Sequence, residues 1–388
     1  MVTPDDRPPD DRLPDDRLPE DRQASQQRRI IDASVHVFFE SNGDLRSYLQ
    51  EPFRSRGIPD VEMDWYGAPG GEYVPWAERP GMYPGSDPEF AGEQLFGERG
   101  VDLAILHPMT RGCGPDRHLV SAVLAAHNEM LARRWLENDR FGERYRGTIR
   151  LNPEDIEGAL KELERWRQHP RMVQIGVPLQ SHALYGKPQF LPLWEAAADA
   201  GLPVALHIET GTGIDHAPTP SGPPRTYPQY LSFMGLNYIY HLMNLITEGV
   251  FEKLPHLKVV FADGGGDLLT PLIWRMDTFG RPHLEQTPWA PEMPSDYLPG
   301  HVHFIHGALD GPGDADMAAE WLRMTGKEDM VMFGSSYPHW HTSDPYTLPA
   351  GWTGEQRDKV LYRNAAQLYG LEQAVGPAME PAGPPQTT

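Results

Sequence analysis

Short apolar, β-branched runs recur eight times along the body of the chain, at 30–38, 101–106, 145–151, 172–177, 203–208, 257–261, 302–305 and 330–333. Each has the length and composition of a buried strand. Between most of them the apolar residues change to helical spacing. Leu119, Val123, Ala126 and Met130 share one helix face, and Ile156, Leu160, Leu163 and Trp166 share another, with Asn152 and Pro153 as its start signal. Leu193, Ala196, Ala197 and Ala200 predict a third helix that Gly201 stops, and further helices are predicted over 268–279, 317–324 and 356–369. Eight strand–helix units predict an α/β fold, a (β/α)8 TIM barrel, rather than an open doubly wound sheet. No Gly-x-Gly-x-x-Gly follows the first run, which argues against dinucleotide binding.

Two connections break the rhythm. Residues 40–98 carry Trp65, Tyr66, Tyr73, Trp76 and Tyr83 among many Gly and Pro, and 209–237 carry Tyr227 and Tyr230 in a similar setting. Such long structureless stretches read as aromatic-rich loops over the C-terminal face, with Trp65 a candidate substrate contact. The ends differ again. Residues 4–23 repeat Pro-Asp-Asp-Arg three times and then Pro-Glu-Asp-Arg, a pattern with almost nothing to bury. The expected organisation is a disordered acidic, Pro-rich tail at 1–28, a barrel at 29–371 and a flexible C-terminal tail at 372–388.

Composition narrows the function. The 388 residues are 39% hydrophobic, enough for one large core, and carry a formal charge of −21. That charge disfavours nucleic acid and anionic membranes as partners. A single cysteine, Cys113, excludes an intramolecular disulfide and a Cys-based zinc site, and reads as an ordinary loop or core thiol. No run approaches the roughly 18 apolar residues of a membrane span, and the N-terminus lacks an apolar signal region. A cytoplasmic protein is expected.

In a barrel, polar residues at the C-terminal strand ends converge on one pocket. Here His36 ends the first predicted strand, His107 the second, Arg150 the third, His207 with Glu209 the fifth and Asp263 the sixth. His303 and His306 flank the end of the seventh. Ser335 and Ser336 end the eighth, with His339 and His341 just after. Imidazoles and carboxylates from separate strands are what a metal or acid–base site needs. His36, His207 and Asp263 are therefore the candidate catalytic set. Arg111, Arg150, His303 and His339 are candidates for substrate binding, with Arg111 or Arg150 suited to clamping a carboxylate.

Several motifs together resemble the amidohydrolase-related family, in the branch containing aminocarboxymuconate-semialdehyde decarboxylase and its hydrolase relatives. They are Ile31-Asp32-Ala33-Ser34-Val35-His36, Ala198-Asp199-Ala200-Gly201-Leu202-Pro203-Val204-Ala205-Leu206-His207, Glu248-Gly249-Val250-Phe251-Glu252-Lys253-Leu254-Pro255, Leu257-Lys258-Val259-Val260-Phe261-Ala262-Asp263-Gly264-Gly265, Trp274-Arg275-Met276-Asp277 and Phe333-Gly334-Ser335-Ser336-Tyr337-Pro338-His339. The resemblance implies one divalent metal ion, zinc or manganese, with His36 and His207 as ligands. Two further ligand positions of the family fall on Ser34 and Ser336, and a neutral hydroxyl is a poor zinc ligand. Glu209 or Asp263 is the candidate to complete the set. Gln174 stands where a carbamylated lysine would be needed for a two-metal site. The resemblance further implies a homodimer acting on a small organic molecule, aromatic or carboxylate-bearing, by decarboxylation or hydrolysis. The two serines leave open a metal-independent acid–base lyase, isomerase or cyclase, or an inactive ligand-binding barrel.

Overall fold

A computed structural model describes residues 28–56, 73–109, 116–208, 226–280, 285–307, 328–348 and 352–374, together with Met317, Glu320, Trp321 and Met324. Eight parallel strands follow one another around a single sheet in sequence order: β1 Ile31–Val37, β2 Leu103–Pro108, β3 Tyr145–Arg150, β4 Met172–Pro178, β5 Val204–His207, β6 Val259–Ala262, β7 Val302–His306 and β8 Val331–Phe333. The segment after β8 closes the ring against β1. The His36 amide donates to the Tyr337 carbonyl at 2.7 Å, and the Ser336 amide donates to the Ser34 carbonyl at 3.0 Å. The predicted (β/α)8 barrel is thus the observed fold, with each strand within a few residues of its apolar run.

Period-two alternation sorts the strand residues between two cores. Val204 and Leu206, Val259 and Phe261, and Val302 and Phe304 face the helices. Their neighbours Ala205, Val260, Ala262 and Ile305 face the barrel axis with Ile31, Ala33, Leu103, Ile105 and Met332. The inner core is sealed by the C-terminal helix Asn364–Tyr369, whose Ala365, Ala366 and Tyr369 pack on it with Leu371. This helix lies at the N-terminal end of the strands, because Asn364 Nδ2 donates to the carbonyl of Val331, the first residue of β8. The opposite end is left for the site.

Two predicted loops contain structure. The helix Tyr227–Thr247 begins inside the supposed 209–237 connection, with the Thr226 hydroxyl accepting from the Gln229 amide. Pro228 reads as a breaker, but in the first helical turn its missing N–H costs nothing. Short helices at Asn42–Tyr48 and Pro88–Gly92 likewise interrupt 40–98, capped by Ser41 and Asp87. The helix Ile156–Trp166 is capped by Asp155, not by Asn152 and Pro153. Most of 317–324, 1–27 and 375–388 lie outside the described residues.

Candidate metal and acid–base site

The site begins with an irregularity in β1. Asp32 pairs with Ala104 and Val35 with Leu106, so one extra residue of β1 is accommodated between them. A bulge of this kind turns the residues beyond it to the other face. Ile31 and Ala33 belong to the inner core before the bulge, whereas Val35 and Val37 belong to the outer core after it. Ser34 and His36 consequently turn inward at the mouth of the barrel. Asp32 stabilises the junction, its Oδ1 accepting from the Ser34 amide at 3.2 Å and the Ser335 amide at 2.9 Å.

Opposite His36, β5 and β6 end in His207 and Asp263. Asp263 adopts a left-handed backbone, φ +63°, a strained state for a residue with a side chain and one that clusters at functional sites. Gly265 follows at φ +84°, where an added Cβ would lie 2.9 Å from the Tyr238 side chain. This tight turn aims the carboxylate across the barrel. Asp263 Oδ2 lies 2.9 Å from His36 Nε2 and 3.1 Å from His207 Nε2, and the two imidazole nitrogens are 2.9 Å apart. Ser34 completes the cluster by donating its hydroxyl to the same Oδ2 at 2.9 Å. His36, Ser34 and His207 are buried, and the Asp263 side chain is 8% exposed.

The donor chemistry of this triangle asks for a cation. His207 Nδ1 sits 2.5 Å from the Ile208 carbonyl, which can only accept, so the neutral ring keeps its proton there and leaves Nε2 bare. That bare nitrogen faces a carboxylate oxygen, lone pair to lone pair. Burial, the largest influence, pushes the His207 imidazole down from its ordinary value, against the pull of Asp263, and so disfavours a second proton. Burial also pushes the Asp263 carboxyl up, but a proton or positive charge placed between it and the imidazoles of His207 and His36 outweighs the rise and holds the group well below the usual range. Two imidazole nitrogens and one carboxylate oxygen, all within 4.8 Å of one another, make a donor set suited to a divalent ion with open positions. Asp263 Oδ1 is buried and has no hydrogen-bond partner among the described residues.

Around the triangle stand further predicted residues. Arg150, fully buried at the end of β3, is held by Asn128, whose side chain accepts from its amide at 2.7 Å and donates to its carbonyl at 3.0 Å. Its guanidinium is pushed by burial down to about 10 and is near enough to lower His207. His339 is buried against His36, ring centroids 4.7 Å apart, and stacks on Tyr73 at 5.4 Å. Tyr73, Tyr83 and Phe38 thereby form an aromatic wall beside the site. His303 lies elsewhere. It pairs with Val260 one residue into β7, and burial together with Lys258 pushes it down to about 4. His306 faces the helices, between Trp321 and Trp352. Ser336 adjoins Ser34 through the backbone and adopts φ +57°, with its hydroxyl buried and unpartnered among the described residues. Trp65, Arg111, Cys113 and Glu209 lie outside the described residues.

Sequence reasoning missed Asn128, and it gave Gln174 no role beyond replacing a lysine. The polar character of Asn128 in an otherwise apolar helix face was the available signal. Gln174 lies inside the barrel, one end of its amide 2.8 Å from Thr148 Oγ1 and the other 2.9 Å from the Tyr369 hydroxyl.

Three solved structures illustrate the likeness of the fold. An amidohydrolase from Mycobacterium avium subsp. paratuberculosis superposes with TM-score 0.65 at 20% identity, over 88% of this chain and 99% of that one. 5-Carboxyvanillate decarboxylase from Novosphingobium aromaticivorans, complexed with manganese and 4-hydroxy-3-methoxy-5-nitrobenzoic acid, gives 0.62 at 17%, over 90% and 97%. 2,6-Dihydroxybenzoate decarboxylase from Rhizobium gives 0.60 at 17%, over 89% and 99%. Comparison with curated protein sequences gives no match. A family model described as amidohydrolase matches residues 31–371, nearly the whole described body, and the chain therefore belongs to the amidohydrolase family.

Proposed function

We propose that this protein is a divalent-metal-dependent decarboxylase of a small aromatic carboxylic acid. The observation that carries the reading is the triangle of His36 Nε2, His207 Nε2 and Asp263 Oδ2, in which the bare His207 nitrogen meets a carboxylate oxygen as the ligands of a cation do. Arg150 and the aromatic wall beside the triangle fit an aromatic acid. Similar folds include two decarboxylases of aromatic acids, one with manganese.

When bound, an ion held by His36, His207 and Asp263 supplies Lewis-acid polarisation of substrate oxygens. The chain's own residues do the rest. Arg150 binds the carboxylate, and the Tyr73, Phe38 and His339 wall orients the ring. Asp263 is held as the anion, so it is a base before it is an acid. It takes a proton at Oδ1 from a ring hydroxyl and returns it to the ring carbon that bears the carboxylate. The carbon–carbon bond then breaks, carbon dioxide leaves with no electrons gained or lost overall, and the ring oxygen regains its proton from solvent.

Elemental analysis combined with carbon dioxide release from a panel of hydroxybenzoates tests the proposal. About one equivalent of manganese or zinc is expected, as for a single-ion site. It should be lost in His207→Ala, with turnover abolished by chelator and restored by manganese. Ser34 favours a second reading, because its hydroxyl already donates to Asp263 without any ion. Full activity in chelator would establish this metal-independent acid–base lyase, isomerase or cyclase. Binding without turnover, unaffected by Asp263→Asn, would instead mark a ligand-binding barrel. The reading also carries a homodimer working in the cytoplasm, to be checked by sedimentation and fractionation. No described helix is long and apolar enough to cross a membrane.

A further inference from the structure

The bulge in β1 has an effect on β2. Ala33 drops out of the β1–β2 pairing, and its carbonyl oxygen lies 3.1 Å from His107 Nε2. A carbonyl only accepts, so His107 Nε2 carries the proton and Nδ1 is left as a lone pair. With the two ends of the Gln174 amide interchanged, its oxygen lies 3.0 Å from the same Nε2 and shares that proton with the Ala33 carbonyl. Thr148 can donate to that oxygen and Tyr369 accept from the amide nitrogen, so the network below His107 closes. Nδ1 is buried with no hydrogen-bond partner among the described residues. The His107 ring is fully buried and stacks on His207, centroids 4.7 Å apart at 29°. It sits on the strand between the one that ends in His36 and the one that ends in Arg150.

We propose that His107 is a specificity-determining residue whose Nδ1 accepts a hydrogen bond from a hydroxyl on the substrate, adjacent to the carboxylate bound by Arg150. The proposal rests on the aromatic-acid reading above and names the residue that holds the ring hydroxyl in the resting complex, before its proton passes to Asp263. A buried acceptor with no partner is costly, and a ligand donor that meets it removes that cost. A ligand lacking the hydroxyl leaves the lone pair stranded, which discriminates strongly against it.

Calorimetric titration of the manganese-loaded full chain with 2-hydroxybenzoate and with benzoate tests this. The wild type should bind the hydroxylated acid more tightly by about 10- to 100-fold, the range of one buried hydrogen bond. His107→Gln keeps a donor at the Nε2 position for Ala33 but has no acceptor at the Nδ1 position. It should lose the preference while keeping its metal content and its benzoate affinity. His107→Asn offers an amide oxygen near the Nδ1 position and should recover part of the preference. A wild type indifferent to the hydroxyl would overturn the proposal, as would a His107→Gln protein that weakens for both acids equally, the mark of a merely structural histidine. If His107→Gln does not fold, 15N NMR of the wild-type imidazole decides. A bare Nδ1 signal that shifts with 2-hydroxybenzoate and not with benzoate supports the role, and an unmoved signal overturns it. If neither acid binds, the aromatic-acid reading itself falls, and this proposal with it.

Discussion

Asp32 carries a proton balance unlike that of Asp263, although both carboxyls are buried near one another. Burial, the dominant influence, raises Asp32 from 3.8 to about 6, against the hydrogen bonds from Ser335 and Ser34. The folded state thus binds this proton more tightly than the unfolded chain. Its contribution to stability is full below the unfolded value and is lost as pH rises through the folded one. At about 1.4 kcal/mol per unit, the loss is about 3 kcal/mol. Asp32→Asn keeps an acceptor for the two amides and removes the titration, so the fall in unfolding free energy between about pH 4 and pH 7 should flatten in urea titrations. Ser336 is strained in the opposite sense, with a left-handed backbone and a buried unpartnered hydroxyl. Ser336→Gly relieves both at some cost in unfolded-chain entropy and should raise stability by about 1 kcal/mol. Ser34→Ala removes the hydroxyl that orients the Asp263 carboxylate. Metal affinity should fall by about 10-fold, as for other groups that orient a ligand, in a competition titration with a chelator.

The strands show why the elements were legible and the bulge was not. Eight apolar runs of strand length leave little freedom of interpretation, since burial on both faces demands such runs in a parallel sheet. His36, His207 and Asp263 were visible for the same reason, each being the polar residue at which a run stops. The order Ile31-Asp32-Ala33-Ser34-Val35-His36 reads as plain alternation, with Asp32, Ser34 and His36 on one face. Only the pairing with β2 reveals the extra residue. The helix Tyr227–Thr247 was hidden by Gly and Pro just before its start, because composition marks a breaker without saying on which side the helix lies. The end of β8 makes this element-level dependence testable. A Cβ on Gly334 would sit 2.3 Å from Ile305 Cγ2 and 2.9 Å from Ser34 Cβ. Gly334→Ala should therefore destabilise by about 2 kcal/mol, the usual scale of overpacking. Because the clash falls on Ser34, it should weaken metal retention as well, which elemental analysis after dialysis would show.

For the molecule as a whole, one end of the barrel is packed shut and the other carries the site. The Asn364–Tyr369 helix and Leu371 close the first, and the Tyr369 hydroxyl reaches Gln174 inside the barrel. Tyr369→Phe should cost about 1 kcal/mol in chemical denaturation, one net hydrogen bond, with metal content unchanged. Contacts of this kind were not legible in the sequence. Residues 356–369 read only as amphipathic, and nothing local says that Tyr369 enters the barrel. The extra residue in β1 has a consequence for descent within the family. Loss of a single codon at that point would leave the ladder to β2 regular with Val35 still opposite Leu106 and His36 still at the axis, because the deletion and the vanished bulge cancel. The remaining strands would be untouched. The metal triangle would thus survive the loss, and the change would fall on the displaced Ala33 carbonyl and the imidazole it holds.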